Sequence, residues 1–264
     1  GILNVTPDSF SDGGQFSAVD AAVEQARKML AEGASIIDIG GESTRPGSDS
    51  VSAEQQIQRV VPVIKAIRSE LSATVEISID TTLSTVAEAA INAGATIIND
   101  ISGGQQDSKI LHVAAQYQVP IILMHMQGSP KTMQDAPGYT SVVDEVLQHL
   151  HECIDAALAA GVAKNKIAID PGIGFGKRKQ DNLDLLAALD RFVASGYPVL
   201  LGTSRKRFMG SICAVSDPAE LVVATATTTA LGVMLGVQLF RVHDVKENKQ
   251  AADVAWAIKQ VGQA

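Results

Sequence analysis

Short apolar runs recur along the chain, and nearly every one ends on a polar or charged residue. Eight strand-like runs begin near residues 2, 35, 75, 96, 120, 166, 198 and 238, and amphipathic stretches fill the intervals between them. Apolar strands that alternate with helices indicate a parallel sheet, and eight such units favour closure into a barrel. The pattern therefore predicts an α/β fold, a single (β/α)8 TIM barrel over residues 1–264, with its active site at the C-terminal ends of the strands.

The amphipathic stretches predict eight helices, and several of them are bounded by residues typical of helix ends. They cover residues 18–32, 53–71, 85–93, 108–117, 142–160, 182–194, 218–235 and 247–261. Ser52 and Asp217 precede two of the helices, where a side-chain oxygen can accept from a free backbone N–H. Gly94 and Gly236 follow two others, where a left-handed residue commonly ends a helix.

Length, charge and cysteine content narrow the class of protein. The length of 264 residues matches the usual size of one such barrel. A net charge of −8 argues against nucleic-acid partners, which favour a basic surface. No apolar run approaches the roughly 20 residues of a membrane-spanning helix. Cys153 and Cys213 lack metal-type spacing and are predicted to be small buried residues in a reducing compartment, so the cytoplasm is the expected location.

Polar side chains stand where the predicted strands end. Because the C-terminal ends of all barrel strands meet at one face, these side chains should converge on one mouth. They are Asn4, Asp80, Asn99, His125, Asp170, Lys206, Arg241 and His243. This arrangement is typical of an enzyme.

The loops after the last two strands carry groups that bind anions. Barrels frequently hold phosphate at these two loops. A hydroxyl, an ammonium, an imidazole and two guanidinium groups are available there, on Ser204, Lys206, His243, Arg205 and Arg241. The pattern predicts a phosphate-type site, although surface cations that bind nothing are the ordinary alternative.

Asp80, Asn99 and Asp170 end strands three, four and six. Two carboxylates and a carboxamide could satisfy a flat, amine-rich heterocycle by accepting from its N–H groups. They could instead act as acid and base in hydrolysis, or simply cap the barrel. An aromatic content of only 4% argues against a sugar-binding groove.

Several weaker signals surround these groups. Asn4 offers an oxygen ligand that suits Mg²⁺, whereas His/Cys spacing for zinc is absent from the sequence. Long polar loops at residues 6–17, 41–50 and 127–138 are predicted to close over a substrate, with plain surface insertion as the alternative. Phe175 lies in a glycine-rich segment without phosphate-loop spacing and could lie against a flat ring. His149 and His151 are predicted to be solvated.

Long motifs resemble the dihydropteroate synthase family along essentially the whole chain. Residues 1–14 (GILNVTPDSFSDGG) resemble its first signature, and residues 37–47 (IDIGGESTRPG) resemble its second. The match continues through residues 99–101, 124–126, 170–177, 204–206 and 241–245. The short segment that usually precedes the first strand in this family is expected to be missing before residue 1.

The resemblance implies condensation of 6-hydroxymethyl-7,8-dihydropterin pyrophosphate with 4-aminobenzoate, giving 7,8-dihydropteroate and pyrophosphate in folate biosynthesis. It implies a pterin pocket of Asp80, Asn99, Asp170, Lys206, Met124 and Phe175. It implies that pyrophosphate is held by Asn4 through Mg²⁺ and by Thr44, Arg45, Arg241 and His243. It places 4-aminobenzoate against Phe10, Pro46, Ser204 and Lys206.

The resemblance further implies catalytic contributions from Asp170 and Lys206, with Asp12 and Arg45 organising the first two loops. It implies a homodimer, and Phe10 and Pro46 resemble the pattern of sulfonamide-sensitive members. The alternative is the pterin-binding barrel of corrinoid-dependent methyltetrahydrofolate methyltransferases. That barrel has no pyrophosphate to bind, so the anion-binding groups at residues 44–45, 204–206 and 241–243 argue against it. A catalytically silent pterin-binding paralogue is a second alternative.

Overall fold

The computed structural model describes residues 1–5, 14–43, 50–71, 74–128, 131–133 and 136–262. Every strand in this part of the chain begins within two residues of a predicted run. The strands are β1 (Ile2–Asn4), β2 (Ile36–Gly40), β3 (Glu76–Asp80), β4 (Ile97–Asp100), β5 (Ile121–Met124), β6 (Ile167–Asp170), β7 (Leu200–Leu201) and β8 (Leu239–Phe240).

The strands are parallel and form a closed barrel. Six of them form one sheet in the order β1-β2-β3-β4-β5-β6, and β7 pairs with β8. At one seam, Ile169 of β6 forms a parallel bridge with Val199, which precedes β7. At the other, the N–H of Ile2 in β1 donates to the carbonyl of Val242 after β8, at 2.9 Å. Hydrogen bonds therefore join the two sheets at both edges, which confirms the predicted barrel.

Helices alternate with the strands. Those of the described residues are α1 (Gly14–Ala31), α2 (Ala53–Glu70), α3 (Ser84–Ala93), α4 (Lys109–Tyr117), α5 (Val142–Ala159), α6 (Lys179–Ala187), α7 (Leu189–Val193), α8 (Arg207–Cys213), α9 (Val222–Leu235) and α10 (Val245–Val261). Ser52 caps α2 by accepting from the N–H of Gln55, and Gly94 and Gly236 end α3 and α9 in the left-handed conformation. These three end signals are confirmed.

Several helix predictions are wrong in detail. Helix α1 begins at Gly14 rather than at residue 18, and residues 218–220 form a separate 3₁₀ turn before α9. The helix predicted over residues 182–194 is two helices, because Ala188 leaves helical geometry at φ −110° and ψ 23°. The first of them starts earlier than predicted, where the N–H of Arg178 donates to Asp181 Oδ2 at 2.7 Å. Helix α8 was not predicted, because its seven residues begin inside a cationic cluster that was interpreted as a binding loop.

Side chains alternate between two environments along the central strands. Ile37, Ile39, Ile77 and Ile79 are fully buried in the layer between sheet and helices. The intervening residues point to the other face, which is the inside of the barrel. This alternation places Asp38, Ser78 and Asp80 in the barrel interior, where all three are buried. The interior of this barrel is therefore polar on the side of β2 and β3.

The cysteine prediction is only half right. Cys153 is buried on α5, but Cys213 is exposed because it ends the short helix α8 at the surface. In the described part of the chain, no helix has the length and apolar character needed to cross a membrane. The cytoplasmic location stays a prediction.

Candidate functional site

Arg241, just after β8, joins two buried carboxylates inside the barrel. Its Nε donates to Asp38 Oδ2 at 2.6 Å, and its Nη2 donates to Asp80 Oδ2 at 2.7 Å. Burial raises the pKa of Asp80 to about 7, although the Arg241 guanidinium opposes this shift. The two carboxylates in turn raise the pKa of Arg241, so its positive charge is permanent.

Asn4 and Asn99 stand beside these carboxylates. Asn99 Nδ2 donates to Asp38 Oδ1 at 3.4 Å, and Asn99 is the register partner of Asp80. Asn4 Oδ1 and Asp80 Cβ each lie 3.6 Å from the point where a Cβ on Gly40 would be. The lack of a side chain at Gly40 therefore leaves room between the amide of Asn4 and the carboxylate of Asp80.

Asp170 and Lys206 form the second half of the site. The N–H of Gly172 donates to Asp170 Oδ1 at 2.7 Å. Burial raises the pKa of Asp170 to about 6, against the opposing effects of this hydrogen bond and of Lys206. Burial and the Arg241 charge lower the pKa of Lys206 to about 8. The charges of Asp170 and Lys206 therefore each favour the ionised form of the other.

Apolar side chains line the same region. Lys206 Nζ lies 4.1 Å from the centre of the Phe175 ring, which is a cation–π distance. Phe175 belongs to a buried cluster with Met124, Met133 and Ile101. Met124 is also the register partner of Asp170. A flat wall of sulfur and ring atoms therefore adjoins the carboxylate and the ammonium.

The loops after β7 and β8 are linked by two adjacent side-chain pairs. Ser204 Oγ lies 2.9 Å from His243 Nδ1 and accepts from the His243 N–H at 3.1 Å. Arg205 donates through Nε and Nη2 to the two carboxylate oxygens of Asp244, at 3.0 and 2.6 Å. Arg205 was expected among the anion-binding groups, and its guanidinium is paired with Asp244 as that of Arg241 is paired with Asp38 and Asp80.

The histidine predictions need two corrections. His125 was predicted at the mouth, but its ring is directed towards helix α5, with its centroid 4.7 Å from that of the His149 ring and its Nδ1 2.9 Å from Lys177 Nζ. His149 was predicted to be solvated, but it is half-buried. It lies three residues after Val146 and four before Cys153, on the α5 face that packs inward. His151 is exposed, as predicted.

Two buried charged residues of this region were not predicted as functional. Asp38 is 6% exposed in the middle of β2, and Lys177 is 3% exposed at the end of the loop after β6. The alternation of Asp38 with Ile37 and Ile39 was an available signal for an inward carboxylate. A lysine that is drawn into the protein has no comparable sequence signal.

Five predicted site residues lie outside the described residues: Phe10, Asp12, Thr44, Arg45 and Pro46. Their assignments stay predictions. Within the described ranges, no cluster of three or more His, Cys, Asp or Glu could hold a metal ion. The single amide oxygen of Asn4 still fits Mg²⁺, because this ion keeps several waters and often takes its remaining ligands from substrate phosphates.

Comparisons with known proteins give a consistent result. Residues 1–243 match a family described as pterin binding enzyme. Dihydropteroate synthase of Synechocystis sp. is 46% identical over 258 residues, which cover 98% of this chain and 89% of that protein. The crystal structure of dihydropteroate synthase from Clostridium difficile, obtained in the presence of pteroic acid, has a TM-score of 0.91 and 43% identity. The alignment with that structure covers 98% of this chain and 95% of the Clostridium difficile chain. The Xanthomonas albilineans enzyme with 4-aminobenzoic acid has a TM-score of 0.91 and 44% identity, over 98% and 92% of the two chains.

Proposed function

The chain belongs to the dihydropteroate synthase family of pterin-binding enzymes, and from this premise we propose how its side chains divide the reaction between them. It is a transferase of folate biosynthesis. It condenses 6-hydroxymethyl-7,8-dihydropterin pyrophosphate with 4-aminobenzoate to give 7,8-dihydropteroate and pyrophosphate.

The pterin ring binds between Asp80, Asn99, Asp170 and Lys206, with Met124 and Phe175 packing on its face. The observation that carries this assignment is the position of Lys206 Nζ, 4.1 Å from the Phe175 ring and electrostatically coupled to Asp170. The carboxylates and the amide oxygen accept from the amino and ring N–H groups of the heterocycle, and the amide NH2 donates to its acceptor atoms. Buried hydrogen-bonding groups of this kind discriminate strongly against ligands that leave them unpaired.

Pyrophosphate binds at the cationic side of the mouth. Arg241 and His243 contribute from the loop after β8, and Thr44 and Arg45 contribute from the loop after β2. Asn4 provides a protein oxygen for Mg²⁺, which when bound neutralises part of the pyrophosphate charge. The position of Asn4 beside Asp80 supports this, since it puts the metal ligand next to the pterin carboxylates.

4-Aminobenzoate binds at the outer part of the mouth against Phe10, Pro46, Ser204 and Lys206. The contact of the Ser204 hydroxyl with His243 supports this assignment, because it fixes the hydroxyl two positions before Lys206. Asp12 and Arg45 organise the first two loops over the bound substrates. The location of both loops after strand ends is consistent with a closing role.

The chemistry follows from where charge develops. As the bond to pyrophosphate breaks, negative charge grows on the leaving group and is stabilised by Arg241 and His243. Positive charge grows on the exocyclic methylene of the pterin and is stabilised by the electron-rich ring and the carboxylates of Asp170 and Asp80. The arylamine is already unprotonated at neutral pH, so its attack needs no strong general base.

A homodimer is proposed through α9 and α10. Val223, Leu231 and Met234 lie along one exposed face of α9, and Val254, Ile258 and Val261 lie at helical spacing along α10. Val223 is 78% exposed and Leu231 is 57% exposed, which is unusual for aligned apolar residues of a helix face. A Leu231→Glu variant is expected to sediment as a monomer, whereas Ile212→Glu should leave the dimer intact, since Ile212 is exposed on α8 and lies outside the proposed face. A monomeric unmodified protein at micromolar concentration would reject this interface.

The test of the function is product formation from dihydropterin pyrophosphate and radiolabelled 4-aminobenzoate, with and without Mg²⁺. Mg²⁺-dependent dihydropteroate supports both the reaction and the metal requirement. Product that forms equally well after chelation would remove Mg²⁺ from the proposal. Pterin binding without product would contradict the catalytic assignments.

A further inference from the structure

Lys177 is a buried cation that the proposed reaction does not use. Its side chain is 3% exposed, and its Nζ lies among three uncharged acceptors. These are the Nδ1 of His125 at 2.9 Å, the carbonyl of Phe175 at 3.0 Å and the carbonyl of His125 at 3.5 Å. Burial of an ammonium among uncharged acceptors is unfavourable, because a buried charge is costly unless an opposite charge pairs with it, so this arrangement needs an explanation.

The acceptors of Lys177 belong to Phe175, which lines the pterin pocket, and to His125, which is the neighbour in sequence of the lining residue Met124. One is the peptide oxygen of Phe175 itself. The other two belong to His125, which directly follows Met124 at the end of β5. Phe175 and Met124 pack together in the same buried cluster. One ammonium group therefore joins the backbone behind both side chains.

The backbone between these points has little freedom of its own. Gly172 and Gly176 have positive φ values of 67° and 61°. A Cβ on Gly172 would lie 1.9 Å from the His125 carbonyl oxygen, so only glycine permits this approach. The N–H of His125 also donates to the carbonyl of Asp170 at 3.0 Å. Lys177 completes a set of contacts that holds the end of β5 against the loop after β6.

We propose that Lys177 is a positioning residue that fixes Phe175 and Met124 in the geometry that the pterin ring requires. His125 is its main acceptor and acts with it. The inference rests on the proposed pterin pocket, and it assigns a role to two buried groups that touch no substrate.

The electrostatics of the surrounding groups are compatible with this role. Burial lowers the pKa of Lys177 to about 7, with Asp170 and Asp181 raising it and Lys206 lowering it. Burial and the Lys177 charge hold the pKa of His125 far below its usual range, so its ring is neutral. A protonated Lys177 can only donate, and therefore the neutral ring accepts at Nδ1 and carries its proton on Nε2.

The main test is Lys177→Met, which keeps the approximate length of the side chain and removes its charge and its donors. We expect KM for dihydropterin pyrophosphate to rise at least tenfold, while KM for 4-aminobenzoate at saturating pterin changes less than twofold. A merely structural role predicts a different result, since loss of folded protein lowers kcat and leaves both KM values unchanged. Lys179→Met is the matched control, because Lys179 is exposed two residues later and should behave as the unmodified enzyme.

A second variant keeps the proposal testable if Lys177→Met lowers the yield of folded protein. His125→Phe removes the acceptor and keeps a ring, and it should raise the pterin KM by a similar factor. The double variant should cost little more than Lys177→Met alone, because that substitution already removes the contact with the His125 ring. If the increases in pterin KM from the two substitutions multiply in the double variant, Lys177 and His125 do not act together and the proposal is rejected.

Direct binding separates this inference from the pocket on which it rests. Calorimetry with 6-hydroxymethyl-7,8-dihydropterin is to be run on Lys177→Met and on Asp170→Asn. Weak binding by both variants supports the positioning role. Weak binding by Asp170→Asn alone rejects it and leaves the pocket intact. Normal binding by both variants contradicts the pocket itself.

Discussion

Arg241 Nε donates to Asp38 Oδ2 at 2.6 Å, across 203 positions of sequence. This contact joins the loop after the last strand to the middle of the second, through the interior of the barrel. With Nε held there, Nη2 of the same guanidinium donates to Asp80. The Asp38 carboxylate also accepts from Asn99. The carboxylate of Asp38 thus sets the orientation of groups assigned to both the pterin and the pyrophosphate.

Asp38→Asn should therefore impair the enzyme without removing a substrate contact. Breaking a buried charge pair leaves the partner charge uncompensated, and we expect the free energy of unfolding to fall by about 1–3 kcal/mol. KM for dihydropterin pyrophosphate should rise about tenfold, or about 1.4 kcal/mol of binding free energy. Denaturant titration and steady-state kinetics measure the two effects. Asp155→Asn on the exposed face of α5 is the control, and equal behaviour of the two variants would contradict the role of Asp38.

Asp170→Asn should lower turnover by well over tenfold, which is a barrier increase above about 1.4 kcal/mol. The amide keeps an acceptor for the Gly172 N–H but lacks the charge that stabilises the developing cation. Single-turnover kinetics at saturating substrates isolates the chemical step. A near-normal rate would defeat the assignment of Asp170 as a catalytic residue.

The same substitution should change how stability depends on pH. The folded-state pKa of Asp170 is raised from 3.8 to about 6, so the folded protein retains a proton that the unfolded chain releases. The associated stability is present below about pH 4 and is lost as pH rises through about 6. Between pH 4 and pH 7.5 the unfolding free energy of the unmodified protein should therefore fall by about 3 kcal/mol more than that of Asp170→Asn does. Urea titrations of both proteins across this range test the sign, and parallel pH profiles would contradict it.

Asp244→Asn should loosen the two cationic loops together. Arg205 has a positive φ of 58°, which is unfavourable for a residue with a side chain, and its pair with Asp244 holds it there. We expect KM for the pyrophosphate substrate to rise several-fold, because Ser204 and Lys206 flank Arg205. The exposed pair Lys249–Asp253 provides the control, and Asp253→Asn should change neither KM nor stability. An unchanged KM in Asp244→Asn would show that Lys206 holds its position without this pair.

The sequence predicted the barrel because its strands are buried runs that end abruptly in polar residues. Asp80, Asn99, Asp170 and Arg241 were located by the same rule, since strand ends in a barrel share one mouth. The prediction for His125 was wrong because the side chain of the first residue after a strand can point either into the barrel or towards the surrounding helices. Asp38 was missed because it lies inside a strand, and Lys177 because its burial depends on acceptors contributed by β5. Contacts between distant segments decide the positions of His125 and Lys177, and no local pattern encodes them.

The division of the barrel into a sheet of six strands and a pair of two has a mechanical consequence. Asp80 and Asp170 end strands of five and four residues within the larger sheet, and Asn99 is the next-to-last residue of a four-residue strand there. Lys206, Arg241 and His243 instead follow strands of only two residues. Fewer ladder bonds must open to release the smaller pair, so its amides should exchange with solvent before those of the larger sheet. The acidic wall is then a rigid template for the flat ring. We therefore expect the loops after β7 and β8 to open more readily than the wall that carries the carboxylates.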